Sequence, residues 1–322
     1  NGRREHDHEF GCNPCSEILL RPYQFCNLSE VVVRATDTPQ TLKKKVKIAT
    51  IIGTVQSMFT YMPYLRPVWN KNTDEERLLG VSLTGIMDNE YTKNPEPSLL
   101  ESLRSVAVQT NRDYAELLAI PQSTAITCVK PSGTVSQLVD SASGIHARHS
   151  DYYIRNVRGD NKDPLTQFMI EQGIPSEPEY LKPDNTTVFS FPMRSPDGAI
   201  TRTEMSAIEQ LEIWKLYAIH FCEHKPSVTI SVKDEEWMHV GAWVYDNFSI
   251  LSGISFLPYS DHVYRQAPYQ DIDEETYKEL MAKMPASVDW SRLREYEKED
   301  NTMGSQTLAC SGDSCEVVDI VT

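Results

Sequence analysis

Apolar positions recur along the chain in two periods, and together they predict alternating helices and strands. Leu42, Val46, Ala49, Ile52, Val55 and Phe59 return every three or four residues, which predicts one apolar helix face. Thr38-Pro39 is a start signal for that helix and Pro63 a stop. From Pro97 a second helix is predicted, with Leu100, Leu103, Ala107, Tyr114 and Leu117 inward, ending before Pro121. Further helices are predicted over residues 204–224, 234–248 and 274–284, the middle one opened by acidic residues that suit a helix N-terminus. Short apolar runs at 78–87, 124–129, 186–191, 228–232 and 254–257 predict strands. The first 36 residues carry loop signals and no helical period. Alternation of strands and helices predicts an α/β fold with a mostly parallel core of about five strands.

Composition narrows the function. The 322 residues carry a formal net charge of −15 with 24% charged and 40% hydrophobic residues, a profile of a globular protein and not of a nucleic-acid-binding surface. No apolar run approaches the roughly 20 residues of a membrane span. The seven cysteines follow no dense disulfide pattern, which points to a reducing, cytoplasmic compartment. A start at Asn1 with a distinctive motif about a dozen residues on suits a fragment or split subunit.

That motif is Gly11-Cys12-Asn13-Pro14-Cys15-Ser16-Glu17, followed by Cys26. Pro14 disfavours helix for Asn13, so an extended segment is expected, with Asn13, Cys15 and Glu17 on one side. Such a face presents an amide, a thiol and a carboxylate: a hydrogen-bonding group, a sulfur centre and an acid/base. An alternative stands beside it: Cys12 and Cys15 with Cys310 and Cys315 have the ligand chemistry of a four-cysteine structural zinc site in a non-catalytic module. Cys128 and Cys222, on a predicted strand and helix, read as inert buried thiols.

Residues 127–136, Thr-Cys-Val-Lys-Pro-Ser-Gly-Thr-Val-Ser, read as strand, turn and helix start. Backbone N–H groups at such a turn favour anions, and the hydroxyls of Ser132, Thr134 and Ser136 add donors. His146 and His149 are read as structural or substrate-proximal hydrogen-bonding groups, not metal ligands. From about Arg294 polar residues dominate, and a mobile tail carrying Cys310 and Cys315 is expected.

Asn-Pro-Cys-x-Glu, with Phe25-Cys26-Asn27-Leu28-Ser29-Glu30-Val31 behind it, resembles the finger loop of ribonucleotide reductases over residues 11–33. The resemblance extends to the tail. It implies that Cys15 carries a thiyl radical that takes the ribose 3′-hydrogen. Glu17 would be the base at the 3′-hydroxyl, Asn13 would bind substrate hydroxyls, and Cys26 would be one of two cysteines that close to a disulfide. By the same resemblance Pro131, Ser132, Gly133, Thr134, Val135 and Ser136 hold substrate phosphates. Cys310 and Cys315 would pass electrons from a thioredoxin-like reductant to the site, which needs accessible thiolates. The tail lacks the Tyr-Tyr pair of iron-dependent reductases and a glycyl-radical motif. The His-Ser-x-Tyr-Tyr-Ile-Arg run and Pro258-Tyr259-Ser260-Asp261-His262 instead resemble the adenosylcobalamin-dependent class. The implied fold is the second half of a ten-stranded α/β barrel, residues 1–293, with the cysteine loop at its centre and the redox tail at 294–322. An N-terminal half would supply the partner of Cys26 and the allosteric nucleotide sites, and the substrate would be a ribonucleoside di- or triphosphate.

Overall fold

The structure is a computed structural model that describes residues 2–259, 265–298, 306–307 and 317–318. Along the chain come β1 (Gly11–Cys12), β2 (Leu19–Leu20), β3 (Asn27–Val32), α1 (Pro39–Gln56), α2 (Pro67–Glu76) and β4 (Leu79–Thr84). Next are α3 (Glu90–Lys93), α4 (Pro97–Leu117), α5 (Gly133–Leu138), β5 (Tyr152–Asp160), α6 (Pro164–Glu171), β6 (Ser176–Pro178) and β7 (Thr186–Arg194). The rest comprises α7 (Ala207–His220), β8 (Val228–Val232), α8 (Trp237–Asp246), β9 (Ile254–Pro258), β10 (Tyr269–Asp271) and α9 (Glu274–Lys283), with a two-residue pairing of Gln306–Thr307 and Val317–Val318 after them.

The elements form two compact units: Asn1–Ala147 with Glu204–Tyr259, and Arg148–Thr203 with Ser260–Thr322. In the first, β3 runs parallel to β4 and β8 parallel to β9. An extended segment at 125–129 joins the two pairs through single parallel bridges, Val81 to Thr127 and Val129 to Pro226. Helix α1 packs on β3, β4 and α4, and α7 packs on α4, β8 and α8. The core is built from Leu42, Val46, Leu79, Val81, Leu83, Leu100, Leu103, Trp214 and Ile230, all fully buried. Local chemistry sets the helix ends. Thr38 and Thr41 form a capping box ahead of α1, and Ser206 and Glu209 do the same for α7.

The second unit is an antiparallel sheet of order β10-β5-β7-β6, covered in part by α9. Here the sequence expectation needs correcting. The apolar run at 186–191 is a strand, but it belongs to this antiparallel sheet and not to the parallel set. Its place among the parallel strands is taken by β3, where only loop was expected. β3 puts Asn27, Ser29 and Glu30 in a strand that pairs through six registered positions with β4, so backbone pairing outweighs its polar composition. Helix α1 ends at Gln56, before Pro63, and α2 lies in a stretch where no helix was expected.

Candidate active site

The hairpin β1–β2 presents the cysteine motif. The turn between the strands is closed, which corrects the expected extended segment. The Ser16 N–H donates to the Asn13 carbonyl at 2.9 Å, and Ser16 adopts a left-handed φ of 63°. The Asn13 side chain accepts from the Ile18 N–H at 3.0 Å, so in this state the amide holds the turn. Alternation is therefore lost, and proximity comes from the turn instead. Glu17 is fully buried while Cys15 is half-buried and Cys12 exposed. The Glu17 carbonyl accepts from Lys225 N–H at 3.0 Å, tying the loop to the segment that enters β8.

Lys130 completes the centre, and the sequence reading did not single it out. Its Nζ lies 3.0 Å from Glu17 Oε1 and 3.8 Å from Cys15 Sγ. Burial works against its charge, but Glu17 outweighs it and raises the Lys130 pKa. The Lys130 backbone N–H donates to Ser82 Oγ at 2.9 Å, and that hydroxyl donates to Glu30 Oε1 at 2.8 Å. Burial pushes the Glu30 carboxyl from 4.5 up to about 7, against the Ser82 hydrogen bond and the Lys130 charge, with Glu17 adding to the rise. Cys26 sits at the entry to β3. Burial of its thiol, then the charge of Glu17, pushes it well above the usual thiol range. Cys15, Glu17, Cys26, Glu30 and Lys130 thus share one electrostatic environment, and the five described cysteines are all free thiols.

The 131–136 turn follows directly. Ser132 and Ser136 are buried, and Ser132 Oγ donates to Thr84 Oγ1 at 2.5 Å, while Gly133, Thr134 and Val135 are exposed. The α5 N-terminus has no side-chain cap, and a Cβ on Gly133 would meet open space. The amides of Thr134 and Val135, in the first helical turn, therefore have no intrahelical acceptor. Pro131 is half-buried between this face and Lys130.

His146 bonds the Ser143 carbonyl through Nδ1 at 2.8 Å and accepts from the Thr229 N–H through Nε2 at 3.1 Å, a structural role. In the second unit His149 pairs with Asp271 at 2.8 Å and stacks on Tyr269. Cys128 and Cys222 are buried. Cys310 and Cys315, and Ser260, Asp261 and His262 of the second motif, lie outside the described residues. Among the described residues no three His, Cys, Asp or Glu side chains converge as metal ligands, and no helix is long and apolar enough to cross a membrane.

No protein-family model matches the chain. It is 29% identical over 320 residues to a probable adenosylcobalamin-dependent ribonucleoside-triphosphate reductase of Dictyostelium discoideum, covering 96% of this chain and 40% of that protein. The Euglena gracilis adenosylcobalamin-dependent ribonucleoside-triphosphate reductase is 28% identical over 95% of this chain and 42% of its own length. The chain is a relative of the adenosylcobalamin-dependent ribonucleotide reductases. The Lactobacillus leichmannii reductase of the same description is 27% identical over 95% of this chain and 45% of its own length. A crystal structure of a B12-dependent (class II) ribonucleotide reductase superposes with a TM-score of 0.75 at 24% identity over 90% of this chain and 44% of that one, a likeness of fold. This reductase relative is therefore an α/β protein that spans less than half the length of the curated relatives it matches.

Proposed function

We propose that the chain is the catalytic-loop half of an enzyme that reduces ribonucleotides to 2′-deoxyribonucleotides by a thiyl-radical mechanism. The observation that carries this reading is the meeting of Cys15, Glu17 and Lys130 within 3.0 and 3.8 Å at the tip of the β1–β2 hairpin. In this reading Cys15, as a thiyl radical, takes the 3′-hydrogen of the ribose. Glu17, sealed from solvent and paired to a cation, accepts the proton of the 3′-hydroxyl. Asn13 exchanges its hold on the Ile18 N–H for the substrate hydroxyls. Cys26 donates reducing equivalents and closes to a disulfide with a cysteine of the N-terminal half. Cys310 and Cys315 return that disulfide to thiols by exchange with a thioredoxin-like reductant. The open first turn of α5, with Pro131, Ser132, Gly133, Thr134, Val135 and Ser136, takes the substrate phosphates.

Adenosylcobalamin, named for the curated relatives, fits the approach to the thiol. Its neighbours Cys12 and Pro14 are exposed and Cys15 itself is half-buried, whereas Glu17 is sealed. When bound, that cofactor supplies the one-electron oxidant for the thiol. The chain's own residues hold the sulfur, the base and the substrate in register.

An N-terminal half as partner is supported by α1. Its inner face buries Leu42, Val46 and Ala49, yet Ile48, Ile52 and Val55 form a second apolar stripe open to solvent, continued beyond the helix end by Met58, Phe59 and Tyr61. An apolar surface of that extent marks a contact face. Together with the parallel order β3, β4, 125–129, β8 and β9 it fits one half of a ten-stranded barrel, spanning 1–293 with a redox tail at 294–322.

The test is a ribonucleotide carrying deuterium at C3′, supplied to the complete protein with cofactor and dithiol. Slower turnover of the deuterated substrate, with all turnover lost in Cys15→Ser, is expected. Full turnover by Cys15→Ser overturns the assignment.

A further inference from the structure

Lys130 is left without a role by the phosphate-binding turn that begins at Pro131. We propose that Lys130 is a positioning residue that fixes the charge at the reacting pair, holding Glu17 as a carboxylate while leaving the Cys15 sulfur beside an ion pair of zero net charge. The geometry that supports this is specific. Nζ sits 3.0 Å from Glu17 Oε1 and 3.8 Å from Cys15 Sγ. The carboxylate it meets is fully buried, and its other oxygen, Oε2, has no hydrogen-bond partner. A carboxylate so placed is costly unless a cation accompanies it. The lysine is anchored at its other end too, its backbone N–H bonded to Ser82 Oγ at 2.9 Å. The groups facing its ammonium are Glu17 and Cys15 from the hairpin, Glu30 from β3 and Cys128 from its own segment.

The two reacting groups have opposite needs. A thiol that gives up a hydrogen atom must still carry its hydrogen, whereas a base must be ionised. A lone ammonium next to the sulfur would favour the thiolate. A lone carboxylate next to it would do the opposite. The pair satisfies both needs, and removing either partner upsets one of them: without Glu17 the sulfur faces a lone ammonium, and without Lys130 the sealed carboxyl takes up a proton and is lost as a base.

The inference rests on Cys15 and Glu17 as the reacting pair, but it is tested without turnover. Limited alkylation by iodoacetamide at pH 7 is read cysteine by cysteine by mass spectrometry on the intact natural protein. Glu17→Gln leaves the ammonium uncompensated, and Cys15 alkylation is expected to rise about tenfold, the effect of one opposite charge within a few ångströms. Lys130→Met, which keeps the aliphatic stem, leaves the buried Glu17 to take up a proton, so no lone charge faces the sulfur and Cys15 alkylation is expected to stay within about twofold of wild type. Lys130→Arg keeps the charge and stays near wild type. Circular dichroism identifies an unfolded variant. If Lys130→Met fails to fold, the direction of the Glu17→Gln change decides alone. A comparable rise in Lys130→Met, or no rise in Glu17→Gln, overturns the proposal. A rise confined to Glu17→Gln in a protein that reduces no ribonucleotide would uphold it and sink the reductase reading instead.

Discussion

Glu30 offers a sharp test of the electrostatics at this site. Its carboxyl is raised from 4.5 to about 7, chiefly by burial. Below pH 4.5 it is protonated in the folded and unfolded chains alike. Between 4.5 and about 7 the unfolded chain gives up the proton and the folded chain keeps it, so the folded state binds more protons and stability falls as pH rises. Above about pH 7 both states are ionised and the loss is complete. The interval from 4.5 to about 7, at about 1.4 kcal/mol per pH unit, amounts to about 3 kcal/mol. Glu30→Gln keeps an acceptor for Ser82 Oγ and removes the titration. Urea unfolding of wild type and variant at pH 5 and pH 8 measures the difference, followed by tryptophan fluorescence, to which Trp214, fully buried in the same unit, contributes. The variant is expected to gain on the wild type by about 2.5 kcal/mol between those pH values, since part of the loss has already occurred by pH 5. Parallel pH profiles for the two proteins would show that the Glu30 carboxyl is not held protonated and would refute the reasoning.

Other perturbations have equally definite outcomes. Gly144 has a φ of +51°, and a Cβ there would lie 2.7 Å from the Lys130 carbonyl oxygen. Gly144→Ala is therefore expected to lower the unfolding midpoint through a left-handed cost of about 1–2 kcal/mol plus the backbone clash, and an unchanged midpoint would contradict the geometry. Leu42→Ala, at a fully buried site, should cost about 2–5 kcal/mol in urea unfolding. Ile52→Ala, at a side chain 51% exposed, should stay within about 0.5 kcal/mol while weakening association with the proposed N-terminal half; equal costs at both positions would dissolve the two-faced reading of α1. His224 is lowered to about 4 by burial, then by Arg4, so its contribution to stability is lost as pH falls from 6.5 toward 4. His224→Gln should remove that part of the acid sensitivity, seen as a flatter stability profile over the same range.

How far the fold was legible in the sequence depends on what each element buries. Helices α1, α4, α7 and α9 were readable because apolar residues recur at helical spacing beside proline, serine or aspartate start signals. Helix α2 was not, because it buries Asn72, Thr73 and Glu76, with Glu76 held by Arg4 and Gln24. Strand β3 was hidden for the same reason. Its Glu30 is polar because it faces the site, Ser29 turns the other way toward Gly53 of α1, and polar strand residues resemble loop. Strand β5 carries Arg155, Asn156 and Arg158, whose hydrogen bonds run to the backbone at 266–268. The cysteine motif was legible as residue types, but its conformation was not, since the Asn13 to Ser16 turn depends on Ser16 taking a positive φ. Lys130 stood in plain view ahead of Pro131. Only the fold brings it across 113 residues to Glu17.

The most direct test of the central claim is deoxynucleotide formation from a ribonucleoside triphosphate by the complete protein with adenosylcobalamin and a dithiol. Product that requires the cofactor and disappears in Cys15→Ser is what the account predicts. Product formed at the wild-type rate by Cys15→Ser, or none formed by the folded, complete wild-type protein, would contradict it.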